Sequence, residues 1–305
     1  MLKTIDLQLH SIYSEGDLSP RQLVARAKKE NLAIISLTDH NVIDGVAETM
    51  KIGRQKKVIV LPGVEIYTEF QNKKLHLLGY NFDLKNKDLN NLLLKSQVHH
   101  LEWAKKSLQK MADLGFKIDF ADLEKPTPSK VEGLKSKYLG FRHLKTIVEK
   151  YDVNKKRMAE EVKPQFGEPT LFEFINFYFV EGRLAHVPGI NMKINTTLAI
   201  ATILRAGGFP VLAHPGQQLS WQDDHLIVEL KNAGLRGLEV LSPYHNWHQT
   251  EHYQKLANDL ELAITGGSDF HGDLVDPALK NQFVKSAWDY FKVPYQIYIN
   301  LKKYL

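Results

Sequence analysis

Residues 32–41 read LAIISLTDHN, an unbroken apolar run that stops on an acid and an imidazole, Asp39 and His40. A short apolar run without polar alternation is the pattern of a strand buried on both faces. The pattern recurs along the chain. Ile5–Leu9 stops at His10, and Ile59–Val64 stops at Glu65. Leu75 and Leu77 flank His76, Val211–Ala213 stops at His214, and Leu262–Thr265 runs through two glycines to Asp269 and His271. Helical stretches lie between these runs: Ser19–Asn31, Asp44–Gln55, Thr197–Ala206, His225–Ala233 and Gln249–Asn258. Ser19 followed by Pro20 predicts a capped helix start. Alternation of this kind predicts a parallel sheet or (β/α) barrel, whose strands converge at their carboxyl ends on one chemical face. Glu69–Lys74 reads as a turn, and the alternating Tyr295–Leu301 reads as an edge strand.

The apolar fraction of 43% and the charged fraction of 25% exclude wholesale disorder. Cysteine is absent, whereas histidine occurs 13 times. That removes disulfide frameworks, zinc fingers, iron–sulfur clusters and thiolate nucleophiles. A metal site must therefore use imidazole and oxygen donors. The net charge of +5 permits an anionic substrate without demanding nucleic acid. No segment has the features of a signal peptide or a membrane span, so the expectation is a cytoplasmic protein with no membrane association. No stable protein partner is predictable.

Between Asn86 and Ile194 strand signals fade and helical periodicity takes over, at Leu89–Leu114, Arg142–Glu149 and Leu171–Val180, with a break at Pro126 and Pro128. The expected organisation is a barrel from residues 1–85 and 195–305, interrupted by a helical insertion or cap at 86–194.

Six segments carry a resemblance: DLQLHSIYSEG at 6–16, LTDHNVIDG at 37–45, LPGVEI at 61–66, LHLLGY at 75–80, GGFPVLAHPG at 207–216 and GGSDFHG at 266–272. In that order they resemble the polymerase and histidinol phosphatase (PHP) phosphoesterases. The subgroup that acts on nucleoside 3′,5′-bisphosphates and on the 5′ ends of short oligonucleotides is the nearest in pattern. FRHLKTIVEKYDV at 141–153 resembles that subgroup's helical cap segment. The resemblance implies a distorted (β/α)7 TIM-like barrel with two or three divalent ions, manganese first, with zinc, iron or magnesium as alternatives. It implies a first metal on Gln8, His10, Glu65 and Asp269, a second on Glu65, His76 and His214, and a third on Glu15, His40 and His271. It also implies in-line attack on phosphorus by metal-held hydroxide. His40, Glu65, Asp269 and His271 then stand at the reacting centre, with His40 or His271 able to protonate the leaving oxygen. Arg142 and His143 match the cap motif as phosphate contacts, and Arg183 lies in GRLAHVPG, a segment that lines the cap in relatives.

Two positions depart from the family pattern, which has histidine at position 8 and aspartate at position 15. Period 2 keeps Gln8 on the same strand face as His10. Its amide oxygen is a neutral, weaker donor that shifts preference towards harder ions. Glu15 keeps the charge and adds one methylene. Of the remaining histidines, His99 and His100 are adjacent on a helix and cannot share a face. HNWHQTEHY at 245–253 places His248 and His252 at i,i+4, but residue 249 is Gln, so no HExxH motif exists and a solvated helix face is expected.

The function expected is release of a terminal phosphate ester from a small nucleotide, or cleavage at the 5′ end of a short oligonucleotide. The alternatives are phosphatase action on another phosphomonoester such as histidinol phosphate, and a catalytically impaired binding protein created by Gln8.

Overall fold

The structure is a computed structural model that describes residues 3–123, 138–164, 167–188, 194–272 and 286–305. The expected break at Pro126 and Pro128 lies outside these residues. The described residues fall into two compact units, one within Met1–Ser96, Asn191–Leu274 and Val284–Leu305, the other within Gln97–Ile190.

The first unit is an eight-stranded, nearly closed barrel-shaped sheet. Its strands are β1 (Thr4–Leu9), β2 (Leu32–Leu37), β3 (Ile59–Phe70), β4 (Lys73–Tyr80), β5 (Phe209–Leu212), β6 (Gly237–Leu241), β7 (Ala263–Gly266) and β8 (Val293–Pro294). The spatial order is β7-β6-β5-β4-β3-β2-β1-β8. A parallel bridge from Leu9 to Phe270 brings the segment after β7 against β1 and almost closes the ring.

Two strands depart from the parallel expectation: the short edge strand β8 runs antiparallel to β1, and β4 is reversed inside the sheet. β1, β2 and β3 pair in parallel, as do β5, β6 and β7, but β4 is antiparallel to both β3 and β5. The cause is local. Gln71 and Asn72 at the predicted turn adopt φ of 47° and 64°. Two successive left-handed residues match the right-handed twist of flanking strands and make a tight hairpin. Reversal places the early residues of β4 beside the late residues of β3, with His76 paired to Tyr67. His76 thus reaches the ligand-bearing face from the start of its strand.

The segment Tyr295–Leu301 forms a helix rather than the expected edge strand. Its alternation also contains a spacing of three, and Tyr295, Tyr298 and Leu301 all join one apolar cluster with Ile5, Leu7 and Val293. Packing on that helical face decides the outcome over local alternation. Elsewhere helices match their expected positions within a few residues, including Pro20–Lys29 with its Ser19–Gln22 capping box.

The barrel's largest apolar cluster joins β3 to β6 with helices Thr196–Arg205 and Asp224–Asn232. The second unit is helical and has its own core, including Trp103, Leu108, Phe116, Leu144, Met158, Phe174 and Tyr178. Among the described residues no helix is long and apolar enough to cross a membrane.

Candidate metal centre

Glu65, on β3, is completely buried. One of its oxygens, Oε2, lies 3.2 Å from His10 Nε2 and 3.3 Å from His40 Nδ1. The other, Oε1, lies 2.8 Å from His76 Nδ1 and 3.4 Å from His214 Nε2. Imidazoles from four different strands, three of them just past the strand end and His76 within β4, thus approach both oxygens of one carboxylate. Neither oxygen makes an aligned hydrogen bond within the protein. Asp269 Oδ1 lies 2.8 Å from His10 Nε2. The rings of His40 and His271 each stack with that of His10, with centroids 4.2 Å away, and lie 5.7 Å from one another.

Three groups result in which donor atoms lie within 4.8 Å of one another: His10, His40 and His271; Glu65, His76 and His214; His10, Glu65 and Asp269. Gln8 is fully buried and neither of its amide atoms has a hydrogen-bond partner. An orphaned buried amide costs about 1–3 kcal/mol, so its place calls for a further group. Buried nitrogen and oxygen donors that converge without satisfying one another fit divalent metal ions. Glu15 is half-buried in the turn after β1 and stands outside the three groups.

Electrostatics separate the three stacked rings. Burial alone would lower the His10 pKa, but Asp269 and Glu65 outweigh it and raise it to about 10. Burial, reinforced by His10, holds His40 well below the ordinary imidazole range and lowers His271 to about 4. Burial would raise Glu65 and Asp269, yet the surrounding imidazoles keep both carboxyls low. The centre therefore presents ionised carboxylates and calls for positive charge between them, as a proton or as a metal.

Buried acids on neighbouring strands hold the loops that carry these donors. Asp39 accepts the Ser11 N–H and the Ser14 hydroxyl on Oδ1 and the Ser11 hydroxyl on Oδ2, fixing the turn after His10. Asp6 accepts the N–H and hydroxyl of Ser268 and the indole N–H of Trp288, fixing the loop before Asp269. Glu239 accepts the His214 N–H at 3.0 Å. His214 and Asp269 carry positive φ, 23° and 51°. Such strain costs about 1–3 kcal/mol per residue and persists only where surroundings enforce it. Gly267 is required here by close approach, because a Cβ would lie 2.4 Å from Gln8 Cβ.

Sequence reading missed Asp6, Glu239 and Tyr244, and saw Asp39 only as a strand-end acid. Tyr244, just past β6, donates its phenol O–H to Asp269 Oδ2 at 2.8 Å. The strand-end rule could have found it, since β6 was the one interior strand without an assigned polar end. His245 is a clamp: its Nδ1 donates to Val240 O and its Nε2 accepts the Gly216 N–H. His252 pairs with Asp224 at 3.0 Å and stacks on Trp221, while His248 is exposed.

In the helical unit, Arg142 is half-buried and Arg183 is exposed. His143 is buried, and its Nδ1 accepts the Gly140 N–H at 3.1 Å, so this ring caps helix Phe141–Val148.

A nearly closed barrel whose strand ends converge on a carboxylate between imidazoles defines a class, the metal-centred α/β barrels. Residues 6–121 match the PHP domain. The chain is 29% identical to a 5′-3′ exoribonuclease of Haemophilus influenzae over 274 residues, 89% of this chain and 91% of that protein. It is 27% identical to a 3′,5′-nucleoside bisphosphate phosphatase of Chromobacterium violaceum, over 88% of each chain. A solved structure of a candidate metal-dependent phosphoesterase from Bifidobacterium adolescentis superposes with a TM-score of 0.74 at 21% identity, over 97% of this chain and 94% of that one, and shares the fold. Residues 6–121 thus carry a PHP domain, and the relatives agree with the resemblance read from the six segments.

Proposed function

We propose that this protein is a metal-dependent phosphoric ester hydrolase that removes a terminal phosphate from a small nucleotide, such as a nucleoside 3′,5′-bisphosphate, or a nucleotide from the 5′ end of a short oligonucleotide. The observation that carries the reading is the pair of Glu65 oxygens, each approached by two imidazoles at 2.8–3.4 Å. A carboxylate so placed is suited to bridging two cations. The exoribonuclease and bisphosphate phosphatase among the relatives support the nucleotide substrate.

Two or three divalent ions, manganese first, would be held by His10, Glu65 and Asp269 with Gln8, by Glu65, His76 and His214, and by His40 and His271 with Glu15. When bound, such ions supply charge neutralisation at the phosphoryl oxygens and an acidified water. Asp269 and Glu65 provide the fixed negative charge. His40 and His271, held neutral by burial and by His10, each keep a ring-nitrogen lone pair available to a metal ion. The insertion expected at 86–194 would serve to select the substrate, with Arg142 and Arg183 offered as phosphate contacts through their planar donors. The enzyme works in the cytoplasm and without a membrane.

Gln8 favours a second reading, a protein with a weakened first metal position and reduced turnover. One assay separates the readings. The purified chain with manganese is given adenosine 3′,5′-bisphosphate, histidinol phosphate and a 5′-phosphorylated short RNA, each with and without chelator. Chelator-sensitive release from the bisphosphate or the RNA is the expected result. Preference for histidinol phosphate transfers the enzyme to another substrate class, and inertness with metal bound selects the weakened protein.

A further inference from the structure

The phenol of Tyr244 and the ring of His10 divide one carboxylate between them. Asp269 Oδ1 lies 2.8 Å from His10 Nε2, and Asp269 Oδ2 lies 2.8 Å from Tyr244 Oη. The Tyr244 ring stands edge-on to His214, with centroids 5.4 Å apart at 71°. Tyr244 is 42% exposed, so it stands at the open side of the cluster, whereas Glu65 and His10 are fully buried.

Its position is built rather than incidental. The turn after β6 is held by His245, whose Nδ1 donates to Val240 O at 2.8 Å and whose Nε2 accepts the Gly216 N–H at 2.9 Å. Gln249 adds a bond from Nε2 to Gly216 O at 3.0 Å. Gly216 lies two residues beyond His214, so one set of hydrogen bonds ties the loop bearing Tyr244 to the loop bearing His214. A half-exposed phenol with no such support would spread over several rotamers.

We propose that Tyr244 is a positioning residue for Asp269. Its O–H holds Oδ2, leaves Oδ1 as the single oxygen offered towards His10 and Glu65, and prevents the carboxylate from rotating to chelate with both oxygens. This deepens the metal-centre reading and rests on it. A hydrogen bond to the outer atom of a ligating group fixes its orientation, and losing such a partner typically lowers metal affinity or activity about 10–100-fold. Phenylalanine at position 244 keeps the ring against His214 and deletes only the donor.

The test is manganese binding by isothermal titration of the full-length chain, comparing wild type, Tyr244→Phe and Tyr244→Ala, with thermal unfolding of each metal-free protein as the folding control. The expected result is at least a tenfold loss of affinity at one class of site in both variants, with the metal-free Tyr244→Phe melting as wild type does. In turnover, Tyr244→Phe then loses kcat while KM stays within about twofold, and added manganese partly restores the rate. Wild-type manganese affinity in Tyr244→Phe overturns the proposal while leaving the centre intact. A raised KM with unchanged metal binding also overturns it and makes Tyr244 a substrate contact. A wild-type chain that binds no manganese overturns the centre itself and the proposal with it.

Discussion

Glu65 Oε1 lies 2.8 Å from His76 Nδ1 across two strands that run in opposite directions. In an all-parallel barrel, residues at the start of a strand lie on the face away from the chemistry. His76, the fourth residue of β4, would there point to the wrong end. The Gln71–Asn72 hairpin turns the strand round and delivers it to the carboxylate that four imidazoles share.

Glu65→Gln should therefore disable every pairing at once. The amide keeps the shape but removes the charge that both pairs of imidazoles face. The expected outcome is loss of at least about 100-fold in manganese affinity and in phosphate release, with little change in the fold. Metal content after dialysis against fixed manganese, together with circular dichroism, checks it. Wild-type metal content would contradict the bridging role.

Gln8→His tests the departure at the first strand. The amide sits fully buried with no hydrogen-bond partner, on the face that also carries His10. An imidazole there is a stronger donor for zinc-like ions. Bound metal and turnover should both rise, and preference should move from manganese towards zinc. No gain in either would mean that Gln8 does not limit the first position.

Much of this centre is legible in the chain because a donor at the end of an apolar run needs only a one-dimensional pattern. His10, His40, Glu65, His214, Asp269 and His271 follow that rule. Glu15 follows no such rule, because it lies in the turn after β1 rather than at the end of an apolar run. Asp6 and Glu239 escape the rule because they lie inside strands, where an acid reads as an outward residue until the barrel turns it inward. The helix at Tyr295–Leu301 was illegible for another reason: its letters satisfy periods of two and three alike, and only packing chooses.

Asp39→Asn addresses the loop that carries His10. Both Asp39 oxygens are acceptors for Ser11 and Ser14. An amide must turn its N–H2 towards one of those donors, leaving a buried mismatch worth about 1–3 kcal/mol. The thermal midpoint should fall by several degrees and manganese affinity should fall with it. Unchanged metal affinity in a folded variant would show that the turn after β1 does not need this clamp.

The helical unit should lose stability as acid is added. His100 and His143 are buried there, and burial lowers each pKa from 6.5 to about 4. Both rings are neutral in the fold above that value, while in the unfolded chain they take up protons from pH 6.5 downwards. Where the unfolded state binds more protons, stability falls as pH falls. The loss therefore begins near pH 6.5 and is complete near pH 4, and each ring contributes on the order of 3 kcal/mol. For His143 the chemistry is visible, because protonating Nδ1 removes the acceptor of the Gly140 N–H. Urea unfolding at pH 7.5 and pH 4.5 measures the drop, and His100→Met, which keeps bulk and removes the titration, should shrink it by roughly 1 kcal/mol or more. An identical pH dependence in wild type and His100→Met would show that the buried ring at position 100 is not a source of the acid sensitivity.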